Sequence, residues 1–463
     1  MDERLPTGNP RLDSVLNGGL PKNSINLIVG VPGSGKTVLS QQIAFTNATK
    51  ERPALYLSTL SEPLDKIVRY AQEFRFFDRE AIRDGRVVYQ DIGRVLGQQG
   101  LDEVLTSIDQ YLKSLQPGII VIDSFRIFHF FAADVPRFRQ FLYELTLRLT
   151  ASATTSIWNA PYTRGQALEA AEFAVADGII ALDIKQVAER ETRVLQVLKL
   201  RGSDYWSGEH SYRISGDGVT VFPRLADSLG EVPQQLSPGR TATGIAALDQ
   251  LLGGTGYWTG ATTVVAGPSG IGKTLMGLHF VYAGARSGEP GIMATFEESK
   301  PELARVVSGF GWSIDQEHVH IFHRSLVAIR LDEWVYELLD LAEKTGAKRI
   351  VIDSLPDLMT ATDDPIRFRE WATSLAQRCT RAGIGLMVLM ETPDLFQIQR
   401  VSGDGISHIA DNVVLLQYVQ EGPKLSRALT VLKTRALGHE PTIHRYEITN
   451  KGFTLGEVVA FNR

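Results

Sequence analysis

Two short stretches of this chain carry the residues a phosphate-binding loop needs, in the order it needs them. They are Gly30-Val-Pro-Gly33-Ser34-Gly35-Lys36-Thr37 and Gly267-Pro-Ser269-Gly270-Ile271-Gly272-Lys273-Thr274. In such a loop the glycines let successive backbone N–H groups curl around phosphate oxygens. The lysine reaches the β- and γ-phosphates, and the threonine hydroxyl ligates Mg²⁺. Each loop follows an apolar strand pattern, Ile25 to Val29 and Thr262 to Ala266, and runs into an amphipathic helical pattern from Val38 and Leu275. A helix N-terminus directly behind the loop adds its dipole. Two nucleotide sites are therefore expected, one contacting its ligand through Gly33, Ser34, Gly35, Lys36, Thr37 and Val38. The other uses Ser269, Gly270, Ile271, Gly272, Lys273, Thr274 and Leu275.

The likeness of the two halves extends well beyond the loops. Placing Lys36 on Lys273 is a shift of 237 residues, and it brings Thr7-Gly8 with Leu12-Asp13 close to Thr243-Gly244 with Leu248-Asp249. Downstream, Ile119 to Asp123-Ser124 matches Ile350 to Asp353-Ser354, short apolar strands ending in an acid. Asp123 and Asp353 are expected to hold Mg²⁺ through its water shell, helped by the Thr37 and Thr274 hydroxyls. Val197 to Arg201 matches Val431 to Arg435. Polar Leu225 to Gly239, with two prolines and two glycines, reads as a linker, giving domains 1–224 and 241–463 on either side of 225–240. Inside each half, apolar strands alternate with helical patterns such as Leu64 to Phe74, Leu101 to Leu115 and Trp334 to Ala342. That alternation specifies the α/β class: a mainly parallel sheet flanked by helices, with the ligand at the carboxyl ends of the strands.

The bulk composition excludes several classes of function. Across 463 residues the chain is 43% hydrophobic and 22% charged, with a net charge of −5, so nothing draws it globally to nucleic acid or anionic lipid. A single cysteine, Cys379, allows no disulfide within the chain and suits a reducing compartment. No apolar run approaches the ~18 residues of a membrane span, and the N-terminus does not read as a signal peptide. A cytoplasmic location is expected.

Taken together, the residues resemble the RecA-like ATPases of the KaiC type, named for the cyanobacterial circadian clock ATPase, over essentially the whole chain. The resemblance rests on the two Thr-Gly turns with their Leu-Asp and Gly-Gly pairs, both phosphate loops, and Thr295-Phe-Glu297-Glu298-Ser299. It rests also on Lys199-Leu200-Arg201-Gly-Ser203 and the segment Ile409 to Leu416. It implies two tandem RecA-like domains and a homohexamer of stacked rings, with ATP and Mg²⁺ bound between neighbouring subunits. It also implies ATP hydrolysis and signalling to a protein partner that the sequence does not name.

Particular roles follow from the same resemblance. Glu297 and Glu298 fall on the family's paired catalytic glutamates, which activate the attacking water in line with the γ-phosphate. Counted without a gap from Lys36, those positions in the first half are Leu60 and Ser61, and Glu62 comes one residue late. The first domain is thus expected to bind ATP for ring assembly and to hydrolyse it slowly or not at all. Lys199, Leu200 and Arg201, with Lys433 and Arg435 in the second copy, fall where family members reach across the interface to a neighbour's phosphates. The second copy lacks the Gly-Ser that follows Arg201. Phe310, and Phe74 in the first half, lie where an aromatic meets adenine.

Ser407 occupies one of two adjacent phosphoacceptor positions, but His408 fills the other, and the chain ends at Arg463 short of the family's long tail. The leading expectation is a signalling ATPase. A clock-type Ser/Thr autokinase acting at Ser407 is the alternative, followed by a RecA- or helicase-like DNA-handling ATPase. The last requires basic or aromatic loops facing a ring axis. Phe125 to Pro136 carries little positive charge, and Leu355 to Pro365 holds Asp357, Asp363 and Asp364, so nucleic acid is not an expected partner. His318, His320 and His323 cluster without a cysteine, and zinc is not expected there.

Overall fold

The structure, a computed structural model, describes residues 4–60, 63–167, 170–187, 190–229, 238–362, 364–392, 409–421, 423–435, 439, 442–450 and 452–459. The chain divides into two units, Met1–Ser228 and Leu229–Arg463. Each is built on a nine-stranded sheet. In the first unit the strand order across the sheet is Gly218–Phe222, His210–Ser215, Arg190–Leu200, Gly178–Val187, Ile25–Gly30, Thr155–Ala160, Ile119–Asp123, Ala54–Ser58 and Val87–Asp91. From Gly178–Val187 onward the neighbours run parallel, and the remaining three strands are antiparallel. The second unit repeats this plan, with Thr262–Gly267 between Gly385–Glu391 and Asn412–Glu421, and an antiparallel edge ending in Gly452–Val458. These are the two α/β domains expected from strand–helix alternation.

Side-chain alternation along the strands divides the core between the two faces of each sheet. In the first unit Leu27, Val29, Ile120 and Ile122 pack with the helices Leu101–Leu115 and Val135–Ala151, while Ile28, Val121 and Ile180 pack with Leu39 and Ile43 behind the phosphate loop. Strands buried on both faces read as nearly unbroken apolar runs, as Ile119–Asp123 and Arg349–Asp353 do. Of the stretch expected as a linker, Leu225–Leu229 forms a 3-10 turn with Leu225 buried against the first unit, and 230–237 lie outside the described residues. No helix among the described residues is long and apolar enough to cross a membrane.

The helix behind each phosphate loop departs from the amphipathic expectation. In Lys273–Arg286, Lys273 and every residue from Leu275 to Ala285 are buried, because central strands of the sheet and its edge strand Gly452–Val458 both pack against the helix. Each Thr-Gly turn is tied to the short helix that follows it, Pro10–Val15 or Ala246–Leu251. Thr7 N–H donates to Asp13 Oδ1 at 2.8 Å, and Thr243 N–H to Asp249 Oδ1 at 2.8 Å. Gly244, at φ 86°, has no room for a side chain, since a Cβ there would stand 2.4 Å from the His279 carbonyl oxygen. One of the marks that carry the resemblance is thus a close packing of backbone on helix.

One polar tether per unit joins the loop helix to the terminal hairpin. Gln42 Oε1 accepts from Val219 N–H at 2.8 Å, and His279 Nε2 accepts from Phe453 N–H at 3.1 Å. Burial lowers the His279 pKa to about 4. The unfolded chain therefore takes up the proton first, near pH 6.5. This contribution to stability is complete above pH 6.5 and is lost as pH falls toward about 4. We expect His279→Gln, which copies the first unit's own tether, to remove about 2 kcal/mol of the stability difference between pH 7.5 and pH 5. Urea unfolding at the two pH values checks this; equal pH sensitivity in both proteins contradicts it.

Candidate functional site

Each loop joins a central strand to the helix that follows. Gly35 and Gly272 stand one residue ahead of their helices at φ 93° and 110°, in the left-handed region that glycine enters freely. Gly33, Ser269 and Gly270 are exposed at the loop tips, with Ser34 and Ile271 buried beneath them. The lysine opening each helix folds back over its own loop. Lys36 Nζ donates to the Gly30 and Val31 carbonyls at 2.8 and 3.0 Å, and Lys273 Nζ donates to that of Pro268 at 2.9 Å. Burial lowers the Lys36 pKa, and the Asp123 carboxylate opposes this.

The threonine–aspartate pairs form in both units: Thr37 Oγ1 donates to Asp123 Oδ2 at 2.7 Å, and Thr274 Oγ1 to Asp353 Oδ2 at 2.6 Å. Around those pairs the units diverge. Asp123 Oδ2 also accepts from Tyr56 OH at 2.7 Å and from Asn159 Nδ2 at 3.0 Å. Burial and the neighbouring Asp123 carboxylate raise the Tyr56 pKa well above its ordinary value, so the phenol stays protonated as a donor. Strand register puts Met293 and Leu389 at the corresponding positions of the second unit, and neither can donate. Asp353 instead sits near acids: burial pushes its pKa up to about 7, with Glu298 and Glu297 adding to the rise and Thr274 and Lys273 opposing it. Burial likewise raises Glu297, reinforced by Asp357, Glu298 and Glu391.

Several carboxylates thus surround one lysine, and a bound divalent cation would offset part of their charge. Among the described residues no three His, Cys, Asp or Glu side chains group to hold a metal ion. Mg²⁺ keeps most of its water and takes few protein ligands. Thr37 with Asp123 and Thr274 with Asp353 fit that role.

The two glutamate segments differ by one residue in length. Strand register places Ser58 opposite Asp123 and Thr295 opposite Asp353, so counting from the strand equates Leu60 with Glu297. The next helix starts at Leu64 in one unit and Lys300 in the other, capped by Pro63 and Ser299, so counting back from the helix equates Glu62 with Glu298. The inserted residue lies between Thr59 and Pro63. Leu60 is 52% exposed, and Ser61 and Glu62 lie outside the described residues. Thr295 Oγ1 donates to the Glu298 carbonyl oxygen at 3.2 Å, which ties the glutamate turn to the strand end.

Both basic pairs lie at the sheet end remote from their own loop. Leu200 pairs with Gly178 and Gly178 with Asn26, four residues before Gly30; Thr434 likewise pairs with Asn412 and Asn412 with Thr263, four before Gly267. Four strand residues span about 13 Å. In their own unit Lys199 Nζ and Arg201 Nη2 donate to the Phe173 and Ala174 carbonyls, each at 3.0 Å, and Lys433 Nζ to that of Ala410 at 2.7 Å. Arg435 meets Asp411 at 3.3 Å, and Leu200 is buried in the core.

Phe310 packs on the second core with its ring 5.6 Å from Trp312, and Phe74 stacks on Phe76 at 5.3 Å. His320 and His323 lie on the strand Val319–His323, with His318 just before it. Ser407 lies outside the described residues.

Tyr56, Asn159 and Glu391 escaped the sequence reading, which met Asp357 only as one acid of an acidic segment. Asn159 left a signal as an amide between Trp158 and Ala160 near the end of the strand Thr155–Ala160, and Glu391 left one as an acid closing Gly385–Glu391.

Comparison with known proteins agrees with this geometry. The model for the KaiC ATPase family matches residues 5–226 and again 241–458. Circadian clock protein KaiC3 of Synechocystis sp. is 27% identical across 98% of this chain and 92% of its own length. Circadian clock oscillator protein KaiC of Rippkaea orientalis is 27% identical over 96% of this chain and 87% of its own. The protein of that name from Picosynechococcus sp. is 28% identical over 95% of this chain and 87% of its own. With the family pattern matched twice and a phosphate loop, threonine and aspartate assembled in each match, the chain belongs to the KaiC family of ATPases.

Proposed function

We propose that this KaiC-family ATPase binds Mg²⁺–ATP in both units and hydrolyses it mainly in the second. The first unit uses ATP to hold chains together in a homohexameric ring whose nucleotide state signals to a partner protein in the cytoplasm. The observation carrying this reading is the difference around the two aspartates. Glu297 and Glu298 stand near Asp353 and Lys273, whereas Asp123 is tied by Tyr56 and Asn159 and Leu60 occupies the strand-counted place of Glu297. An acid near the γ-phosphate can orient water, and the three donors on Asp123 Oδ2 fix that carboxylate in place. Glu62 gives the first unit one acid when counted from the helix, which fits slow turnover there. Lys199 with Arg201, and Lys433 with Arg435, are proposed to reach a neighbouring chain's phosphates, with Phe310 against its own adenine.

The test compares the two lysines. A ligand that binds only the assembled form stabilises it by mass action. Lys36→Ala is expected to dissolve hexamers at ATP concentrations that hold the wild type, while Lys273→Ala abolishes most turnover and leaves assembly in place. Mass photometry with phosphate release reads both. Lys36→Ala chains that stay hexameric with unchanged turnover contradict the division of labour.

A further inference from the structure

We propose that Glu391 is a positioning residue of the second site, competing with nucleotide phosphate for the Lys273 ammonium and so setting how tightly that site holds its ligand. The proposal rests on the reading of the second site as the hydrolytic one. Glu391 closes the strand Gly385–Glu391 and pairs in register with Gly267, the first residue of the loop. Its Oε2 stands 3.7 Å from Lys273 Nζ, with the lysine side chain 9% exposed and the glutamate 56% exposed. A buried ammonium thus faces a carboxylate on its open side. At 3.7 Å the attraction is electrostatic, without a hydrogen bond.

A phosphate oxygen brings the shorter, charge-assisted bond that an ammonium prefers, at about 2.8 Å, and its negative charge repels Glu391. Displacing the carboxylate subtracts from nucleotide affinity, most for a triphosphate, whose γ-oxygens lie nearest the lysine tip. Once the phosphates leave, Glu391 returns, which favours product release. Among the described residues the first unit has no carboxylate at the corresponding place. Register pairs Val29 with Ala160 and Ala266 with Met390, so the residue corresponding to Glu391 is Pro161. One site is built to exchange ligand and the other to keep it.

The experiment titrates ATPγS and ADP calorimetrically into full-length chains carrying Lys36→Ala, with and without Glu391→Gln. The contact lies within one chain and both proteins share the Lys36→Ala background, so affinities are compared at one assembly state, checked by mass photometry. Glu391→Gln is expected to tighten ATPγS binding roughly fivefold to tenfold and ADP binding less, the size of a partly exposed ion pair. In an otherwise wild-type chain it lowers KM without raising kcat. Unchanged or weaker affinity for ATPγS overturns the proposal, as does a fall in kcat with affinity unchanged, which places Glu391 in the chemistry. A structural role instead weakens both nucleotides together and lowers the melting temperature. Failure of the hydrolytic assignment is read separately, by phosphate release from Glu297→Gln/Glu298→Gln chains, and leaves the binding comparison intact.

Discussion

Glu297→Gln/Glu298→Gln chains are expected to hydrolyse ATP at least about tenfold more slowly than the wild type, a barrier increase of roughly 1.4 kcal/mol. Glutamine keeps the size and one acceptor oxygen but cannot take a proton or orient water with a full negative charge. The double change also removes two of the acids that raise Asp353 toward about 7. Asp353 then ionises more readily, so Mg²⁺–ATP binding is retained or improved while turnover falls. Phosphate release under saturating ATP, with nucleotide occupancy measured in parallel, separates the two effects. Full activity in the double variant removes these residues from the chemistry.

Chains carrying Lys433→Ala and Arg435→Ala are expected to lose turnover by on the order of a thousandfold, the usual scale for a cationic finger on a transferring phosphoryl group. The pair stands about 13 Å of strand away from the loop of its own sheet. On the proposed reading the pair reaches a neighbouring chain instead. Mixing these chains with Glu297→Gln/Glu298→Gln chains creates interfaces where intact glutamates meet intact fingers, and part of the hydrolysis returns. Co-assembly confirmed by two-colour mass photometry without any recovery means that the pair acts inside its own subunit or not at all.

Much of this protein was legible in its residues. Phosphate loops, the strands ending in Asp123 and Asp353, and the alternation that gives two α/β units all depend on local spacing. A loop that must wrap phosphate needs glycines in fixed places, and a strand buried on both faces must be apolar throughout. The helix Leu101–Leu115 follows from periodicity in the same way.

What the sequence by itself determined was the presence of two nucleotide sites; how they differ was decided in three dimensions. Tyr56 and Asn159 are 103 residues apart and meet at Asp123 only because their strands flank the Asp123 strand in the sheet. Glu391 faces Lys273 because the sheet places Gly385–Glu391 beside Thr262–Gly267. The extra residue before Pro63 changes which acid matches Glu298, and only the fixed strand end and helix start reveal it. Local spacing governs backbone conformation within a few residues. The charge around a carboxylate depends on side chains brought together by strand order, and strand order is a property of the folded chain.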